Sequence, residues 1–426
     1  MLDEAQTETV GVTSSRPIQM VPRVAIQAFC VTESVADAIE YAAADRRMSR
    51  THTSVHMGGV TAATDFYATA PTPNLMMVEW SGSAEELLAG LEDLAEVCDQ
   101  GTRLIVIGHV NDILLYRELM RRGVSEYLVA PLDAPQLIGA IGDLFASPDS
   151  DPFGRSIAFV PAKGGAGTST IAHNVAWGLA RLYSSEVAIC DLDLPFGTAG
   201  LDFNQDPPRG IAEAVLAPER VDDAFVERLL TKCSENLSIL AAPSMLDKVY
   251  EFDWQALSTV LDTVSQVVPV TVIDVPHIWN DWIKEMLTNS DEIVIVATPE
   301  LASLRNTKNL YDVLRQARPN DEPPRLVLNQ VGLPKRPEIP AAEFTRGIGL
   351  EPIASIPFDA ALFGTAANNG QMIGELDPRH ATADLLLRIS ELVSGRGMSR
   401  VSSRAGGSAL KSLAPLLGRL TGRKSA

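Results

Sequence analysis

The chain has 426 residues, an apolar share of 46% and a formal net charge of −19. That length suggests two or three domains with sizeable cores, and so acidic a surface disfavours non-specific binding to nucleic-acid phosphates. The four cysteines, Cys30, Cys98, Cys190 and Cys233, form no CxxC pair; they fit a reducing compartment and argue against a disulfide framework, a metal site or an iron–sulfur cluster.

Residues 1–21 open with MLDEAQTETVG, which has no basic segment ahead of an apolar run. They read as a polar, disordered terminus and not as a secretory signal. No uncharged apolar stretch approaches the roughly 18 residues needed to span a bilayer, so the chain reads as soluble or, at most, peripheral.

From 22 to 146, short apolar runs alternate with helical patterns. Strands are predicted at Val24–Ile26, Leu75–Val78, Leu104–Ile107 and Glu126–Val129. The continuous runs suit a buried parallel sheet. AEELLAGLEDLAEVC, DILLYRELMRRG and Gln136–Phe145 carry apolar residues at helical spacing. His52 and His56 lie four apart in RTHTSVHMGG. That stretch reads as a loop with no further ligand, so no metal is assigned to it.

SPDSDPFG, at 147–154, has the composition of a linker. A second strand–helix alternation fills 155–394, with strands expected at 156–161, 186–191, 237–241, 269–274, 292–297, 325–330 and 352–356. It argues a doubly wound, mostly parallel α/β sheet.

The tail, 395–426, holds seven basic residues and no acid. Removing that +7 from the total leaves the rest of the chain at −26. Within the tail, Leu410, Leu413, Leu417 and Leu420 share one helical face beside Lys411, Arg419 and Arg423, with Pro415 as a kink or break. A short basic amphipathic helix over 408–426 suits an anionic membrane surface. A solubilising tail or a helix docked on a protein partner fits the same pattern.

The strongest motif is SIAFVPAKGGAGTSTIAHNVAWGLA. An apolar strand, Ile157–Val160, enters a glycine-rich turn. A helix then starts near Thr168 and carries Ile171, Val175 and Leu179 inward. Gly164, Gly165 and Gly167 let the backbone curl, so that its N–H groups and the helix N-terminus point at one centre that suits a polyphosphate. A glycine-rich turn without a ligand is the alternative. Two further strands end in acids: EVAICDLD at Asp191 and Asp193, and PVTVID at Asp274. Strand C-termini face the crevice where α/β folds bind ligands.

KGGAGTST resembles the KGGxGKTT loop of the MinD/ParA family of deviant Walker ATPases. The resemblance implies ATP and Mg²⁺ as ligands. The nucleotide would lie on Lys163, Gly164, Gly165, Ala166, Gly167, Thr168, Ser169 and Thr170, with Asn329 at the adenine edge. It implies Lys163 as the signature lysine that crosses to the partner subunit of an ATP-bound homodimer. Asp193 would orient the attacking water, and Ser169, Asp191 and Asp274 would serve Mg²⁺. Thr168 stands where the family has its loop lysine. Weaker nucleotide binding and slow hydrolysis are therefore expected. His277 reads as a helix-start residue without a chemical role.

LSILAAP, VTVIDVP and IPFDAALFGTAANNGQMI narrow the resemblance to the CpaE/TadZ branch of tight-adherence (Flp) pilus assembly proteins. It implies a cytoplasmic factor at the pole or the inner-membrane face. Its partners would be pilus assembly proteins, namely the secretion ATPase and the inner-membrane platform. Phe358 would pack beside the base. A catalytically dead scaffold is one alternative. A DNA-partition or septum-positioning ATPase is another, opposed by the −26 body.

TRLIVIGHVNDILLYRELMRRGVSEYLVAPLD resembles the second half of a response-regulator receiver. Its phosphorylation chemistry is missing. Ala130 replaces the lysine, Gly108 the hydroxyl residue, Gln27-Ala28-Phe29 the acid pair and Glu79 the phosphoacceptor aspartate. The segment reads as a pseudo-receiver for docking or dimerisation. Glu79 reads as an exposed acid, with mimicry of a phosphorylated aspartate as the alternative.

Overall fold

The computed structural model describes residues 20–395 apart from positions 23, 100, 146–153, 244–245 and 247–249. The expectations for residues 1–19, for most of the linker and for the basic tail lie outside the described residues.

The first sheet has five parallel strands in the order β2-β1-β3-β4-β5. They are β1 (Ala25–Cys30), β2 (His52–Met57), β3 (Leu75–Glu79), β4 (Arg103–Gly108) and β5 (Glu126–Val129). Every residue of the central β3 is buried, which matches its unbroken apolar run. β2 corrects the loop reading of RTHTSVHMGG. It is an edge strand with both ends exposed, paired in register with β1 from Ala25↔His52 to Cys30↔Met57. A strand at a half-solvated edge needs no apolar run, so HTSVHM gives no strand signal.

The second sheet has eight strands in the order β13-β12-β11-β6-β10-β7-β9-β8. β6 (Arg155–Pro161), β7 (Val187–Asp191), β9 (Leu237–Leu240), β10 (Val270–Asp274), β11 (Glu292–Ala297), β12 (Arg325–Val331) and β13 (Pro352–Pro357) are parallel. They stand at the seven places where apolar runs predict strands. β8 (Thr231–Ser234) is the addition, a polar edge strand antiparallel to β9. Two apolar cores cover the two faces of this sheet. On one face, the helix Ala381–Val393 packs so close to Thr168–Tyr183 that a methyl on Gly178 would meet Ser390 Oγ at 2.4 Å.

A buried ion network joins the two sheets. Asp321 accepts from Arg46 Nε and Arg318 Nε at 2.7 Å each and also pairs with Arg47. Arg46 Nη1 donates to the carbonyl of Asn289 at 3.1 Å, and Asn320 Nδ2 donates to Asp45 at 3.0 Å. Burial lowers the pKa of Arg46 and Arg47, so desolvation offsets part of the attraction. Removing one partner of such a cluster leaves an uncompensated charge.

A candidate nucleotide site at the strand ends of the second sheet

β6, β10 and β7 are neighbours, so their C-terminal ends bring three motifs together. β6 runs into the glycine loop. Gly165 and Gly167 adopt φ of +78° and +81°, a region that L side chains rarely enter. The loop is held from outside by side chains. Asn329 Nδ2 donates to the Ala166 carbonyl at 2.8 Å, Gln330 Nε2 to the Gly165 carbonyl at 2.9 Å, and Asn306 Nδ2 to the Ala162 carbonyl at 2.8 Å. These bonds occupy carbonyls; of the loop's own N–H groups, that of Ala166 donates to the Lys163 carbonyl at 3.2 Å. A methyl on Gly167 would lie 2.5 Å from Asn329 Nδ2, so that contact requires glycine. Asn329, expected at a base edge, therefore has its amide nitrogen committed to the loop.

The helix Thr168–Tyr183 starts at the loop and aims its N-terminus into it. Thr168 is buried, and its Oγ1 has no hydrogen-bond partner among the described residues. Ser169 and Thr170 are half-buried beside it. Lys163 is exposed and pairs with Glu300, at the start of the helix Leu301–Ala317. That contact, together with the ammonium charge, holds the Glu300 carboxyl below its ordinary range. His277 does not start a helix. The helix Asp281–Asn289 is capped by Asn280, and His277 lies in the preceding loop, its Nδ1 3.6 Å from where a methyl on Gly164 would stand.

Asp191 and Asp274 are directly paired across β7 and β10. Both are buried. Asp191 accepts from the N–H groups of Ala199 and Asp193 at 3.1 Å each. Burial first, and the Asp274 charge second, push its pKa up to about 7. Asp193 is half-buried and accepts from the N–H of Phe196 at 3.2 Å; its pKa is raised, chiefly by burial. Two buried carboxylates in direct apposition repel unless a cation or proton is shared between them. The orphaned Thr168 hydroxyl, the curled loop and these acids fit a magnesium polyphosphate. Among the described residues no set of three or more His, Cys, Asp or Glu could hold a metal unaided. Mg²⁺ ordinarily keeps one or two carboxylates and completes its shell with phosphates and water.

His173 and Asp202 escape the motif reading. His173 is fully buried, with Nδ1 2.7 Å from Asp202 Oδ2 and Nε2 3.5 Å from Asp274 Oδ2. Burial alone would lower its pKa; the two carboxylates outweigh it and push it up to about 10. The one sequence signal is an imidazole on an inward stretch of an otherwise apolar helix, IAHNVA.

A family model for an AAA domain, AAA_31, matches residues 154–324. The septum site-determining protein MinD of Bacillus subtilis is 22% identical over 252 residues, 58% of this chain and 91% of that protein. A ParA family ATPase from Chlorobium tepidum shares the fold, with a TM-score of 0.50 at 23% identity over 56% of this chain and 98% of its own. The pilus assembly protein CpaE from Caulobacter crescentus is 56% identical over 30% of this chain and 98% of that one, with a TM-score of 0.30. Its identity over nearly its whole length decides the branch. The chain belongs to the CpaE family, within the MinD/ParA-like ATPases. The CpaE likeness lies in the N-terminal part, which holds the five-stranded sheet, and the MinD/ParA likeness in the eight-stranded one.

That CpaE-like region has its own strand-end centre, and there the expectation of an exposed acid at position 79 is wrong. Glu79 is fully buried. It accepts from Val31 N at 2.6 Å, Thr32 N at 2.9 Å and Thr32 Oγ1 at 2.8 Å, and lies 2.8 Å from His109 Nε2. Burial raises its pKa, but these donors outweigh it and hold the carboxyl below its ordinary value.

Proposed function

We propose that this protein is an ATP-binding, nucleotide-switched assembly and localisation factor that pairs two copies around Mg-ATP and hydrolyses it slowly. One observation carries the reading: the loop and the apposed acids lie inside a rim of exposed apolar side chains. Phe196, Leu201, Ile278, Trp279, Leu301 and Phe358 follow the C-terminal ends of β7, β10, β11 and β13, and all are at least a third exposed. Exposed apolar side chains clustered after the strand ends that carry a phosphate-type loop favour coverage by another protein surface. The exposed Lys163 stands within that rim, where it can reach a second copy.

The loop N–H groups of Gly164, Gly165 and Gly167 would hold phosphate oxygens, with the hydroxyls of Thr168, Ser169 and Thr170 at the helix start. Ser169, Asp191 and Asp274 would serve Mg²⁺, Asn329 would flank the base, and Asp193 would orient water. ATP, when bound, supplies a γ-phosphate whose presence separates two states of the rim. Thr168 offers a hydroxyl where a lysine would place a charge, which supports slow turnover. CpaE of Caulobacter crescentus is a pilus assembly protein, and that likeness supports a pilus machine, with its secretion ATPase and inner-membrane platform, as the partner. A cytoplasmic placement at the pole or inner-membrane face follows from it, with residues 408–426 as the membrane contact. No described helix is long and apolar enough to cross a membrane. Thr168 alone favours a second reading, a scaffold without turnover.

Light scattering tests the switch. Mg-ATP should double the mass of the wild-type protein and leave Lys163→Ala monomeric. An unchanged wild-type mass with nucleotide bound would contradict the dimer switch.

A further inference from the structure

His173 stands between two acids that belong to different parts of the site. On one side is Asp274, at the end of β10. On the other is Asp202, the last residue of the short helix Ala199–Asp202. The imidazole Nδ1 is committed to Asp202 at 2.7 Å. Nε2 is fully buried, faces Asp274 Oδ2 at 3.5 Å and has no hydrogen-bond partner among the described residues. The ring also packs against Phe203, with centroids 5.7 Å apart. Asp202 in turn accepts from Thr198 Oγ1 at 3.2 Å.

The segment so gripped is the one that leaves β7. Its front is pinned to a third acid, because Ala199 N donates to Asp191, which is paired with Asp274 across the strands. Between the pins it carries Leu201, 73% exposed, and just ahead of them Phe196, 67% exposed, to the apolar rim. A contact at Asp274 is therefore one buried side chain away from the surface that would meet another protein.

We propose that His173 is a positioning residue that links the Asp274 carboxylate to the Thr198–Phe203 segment, so that a divalent cation drawn onto Asp274 tightens the hold of His173 on Asp202 and fixes the rim. The physical reason is competition. One imidazole shares its attraction between two carboxylates in a low-dielectric interior. A cation that compensates Asp274 leaves Asp202 as the principal partner. The inference rests on the nucleotide reading above, with Asp274 on the metal side, and extends it to how metal occupancy reaches the protein surface.

Hydrogen–deuterium exchange on the full chain tests it, with ADP plus EDTA compared with Mg-ADP and bound fractions measured by calorimetry. In the wild-type protein Mg²⁺ should slow exchange across 198–203 at least threefold. The metal-dependent difference should vanish in His173→Asn while Mg-ADP still binds. Asp202→Asn, at a more accessible position, should abolish the same difference and serves if His173→Asn does not fold. An undiminished difference in either folded variant with Mg-ADP bound would overturn the role of His173 and leave the nucleotide site standing. Absence of Mg-ADP binding by the wild-type protein would remove the nucleotide reading and this one with it.

Discussion

The two parallel sheets end in centres of opposite character. At the end of β3, Glu79 saturates its surroundings: two backbone N–H groups, a hydroxyl and an imidazole converge on one carboxylate. At the ends of β6, β7 and β10, two carboxylates oppose each other, and Thr168 Oγ1 and His173 Nε2 have no hydrogen-bond partner among the described residues. The first centre is complete without a ligand. The second has polar groups that a cation and phosphates would satisfy. Strain of that kind at a strand end marks function more reliably than the presence of charge alone. The contrast also explains why the receiver-like region can lose its chemistry and keep its fold. Its own side chain occupies the place where a receiver holds its phosphoacceptor.

The contrast fails if the two centres respond alike to loss of a carboxylate. Glu79→Ala should give the largest effect, a loss of about 3 kcal/mol in thermal or denaturant unfolding, because several buried donors lose one acceptor together. The Glu79 contribution has the sign of a lowered carboxyl pKa. It is fully present above the unfolded value of 4.5 and is lost as pH falls through the lower folded value. Gly167→Ala comes next. A side chain at φ +81°, 2.5 Å from Asn329 Nδ2, should cost about 2 kcal/mol and weaken nucleotide binding more than tenfold, read by titration and by melting.

Asp274→Asn should stabilise the ligand-free protein by about 1 kcal/mol at pH 8 while abolishing Mg²⁺-dependent binding. Asp191 ionises near 3.8 when unfolded and near 7 when folded, so stability falls as pH rises across that window and the loss is complete above about 7. His173 adds to the same slope. Its folded pKa of about 10 exceeds the unfolded 6.5, so its contribution is lost as pH rises between them. The melting temperature should therefore be lower at pH 8 than at pH 5. Asp274→Asn should flatten that difference. A wild-type melting temperature that rises over this range would contradict the apposed-acid description.

Much of this was legible in the chain. Strands buried on both faces write themselves as unbroken apolar runs, as in LMMVE and EIVIVA. The edge strands HTSVHM and TKCS did not, because the backbone of β1 and of β9 pairs with them while their side chains meet solvent. The loop and the acids at Asp191 and Asp274 were readable because local spacing sets their geometry. Glu79 and His173 were not. The donors of Glu79 come from a loop 47 and 48 residues earlier, and Asp202 reaches His173 across 29 residues. Only the packing of helix on sheet brings such pairs together. Sequence patterns fix which residues face a core, not which distant partner meets a buried polar group.

The central claim is that the second centre takes a magnesium nucleotide although Thr168 replaces the loop lysine. Calorimetric titration of Mg-ATP tests it most directly, with Thr168→Lys and Asp274→Asn run alongside. Saturable binding by the wild-type protein is expected. Thr168→Lys should tighten it at least tenfold, since one charge-assisted hydrogen bond contributes about 1.5–3 kcal/mol. Asp274→Asn should remove its dependence on Mg²⁺. No saturable heat from the wild-type protein up to millimolar Mg-ATP would contradict the claim and leave the eight-stranded sheet as a scaffold.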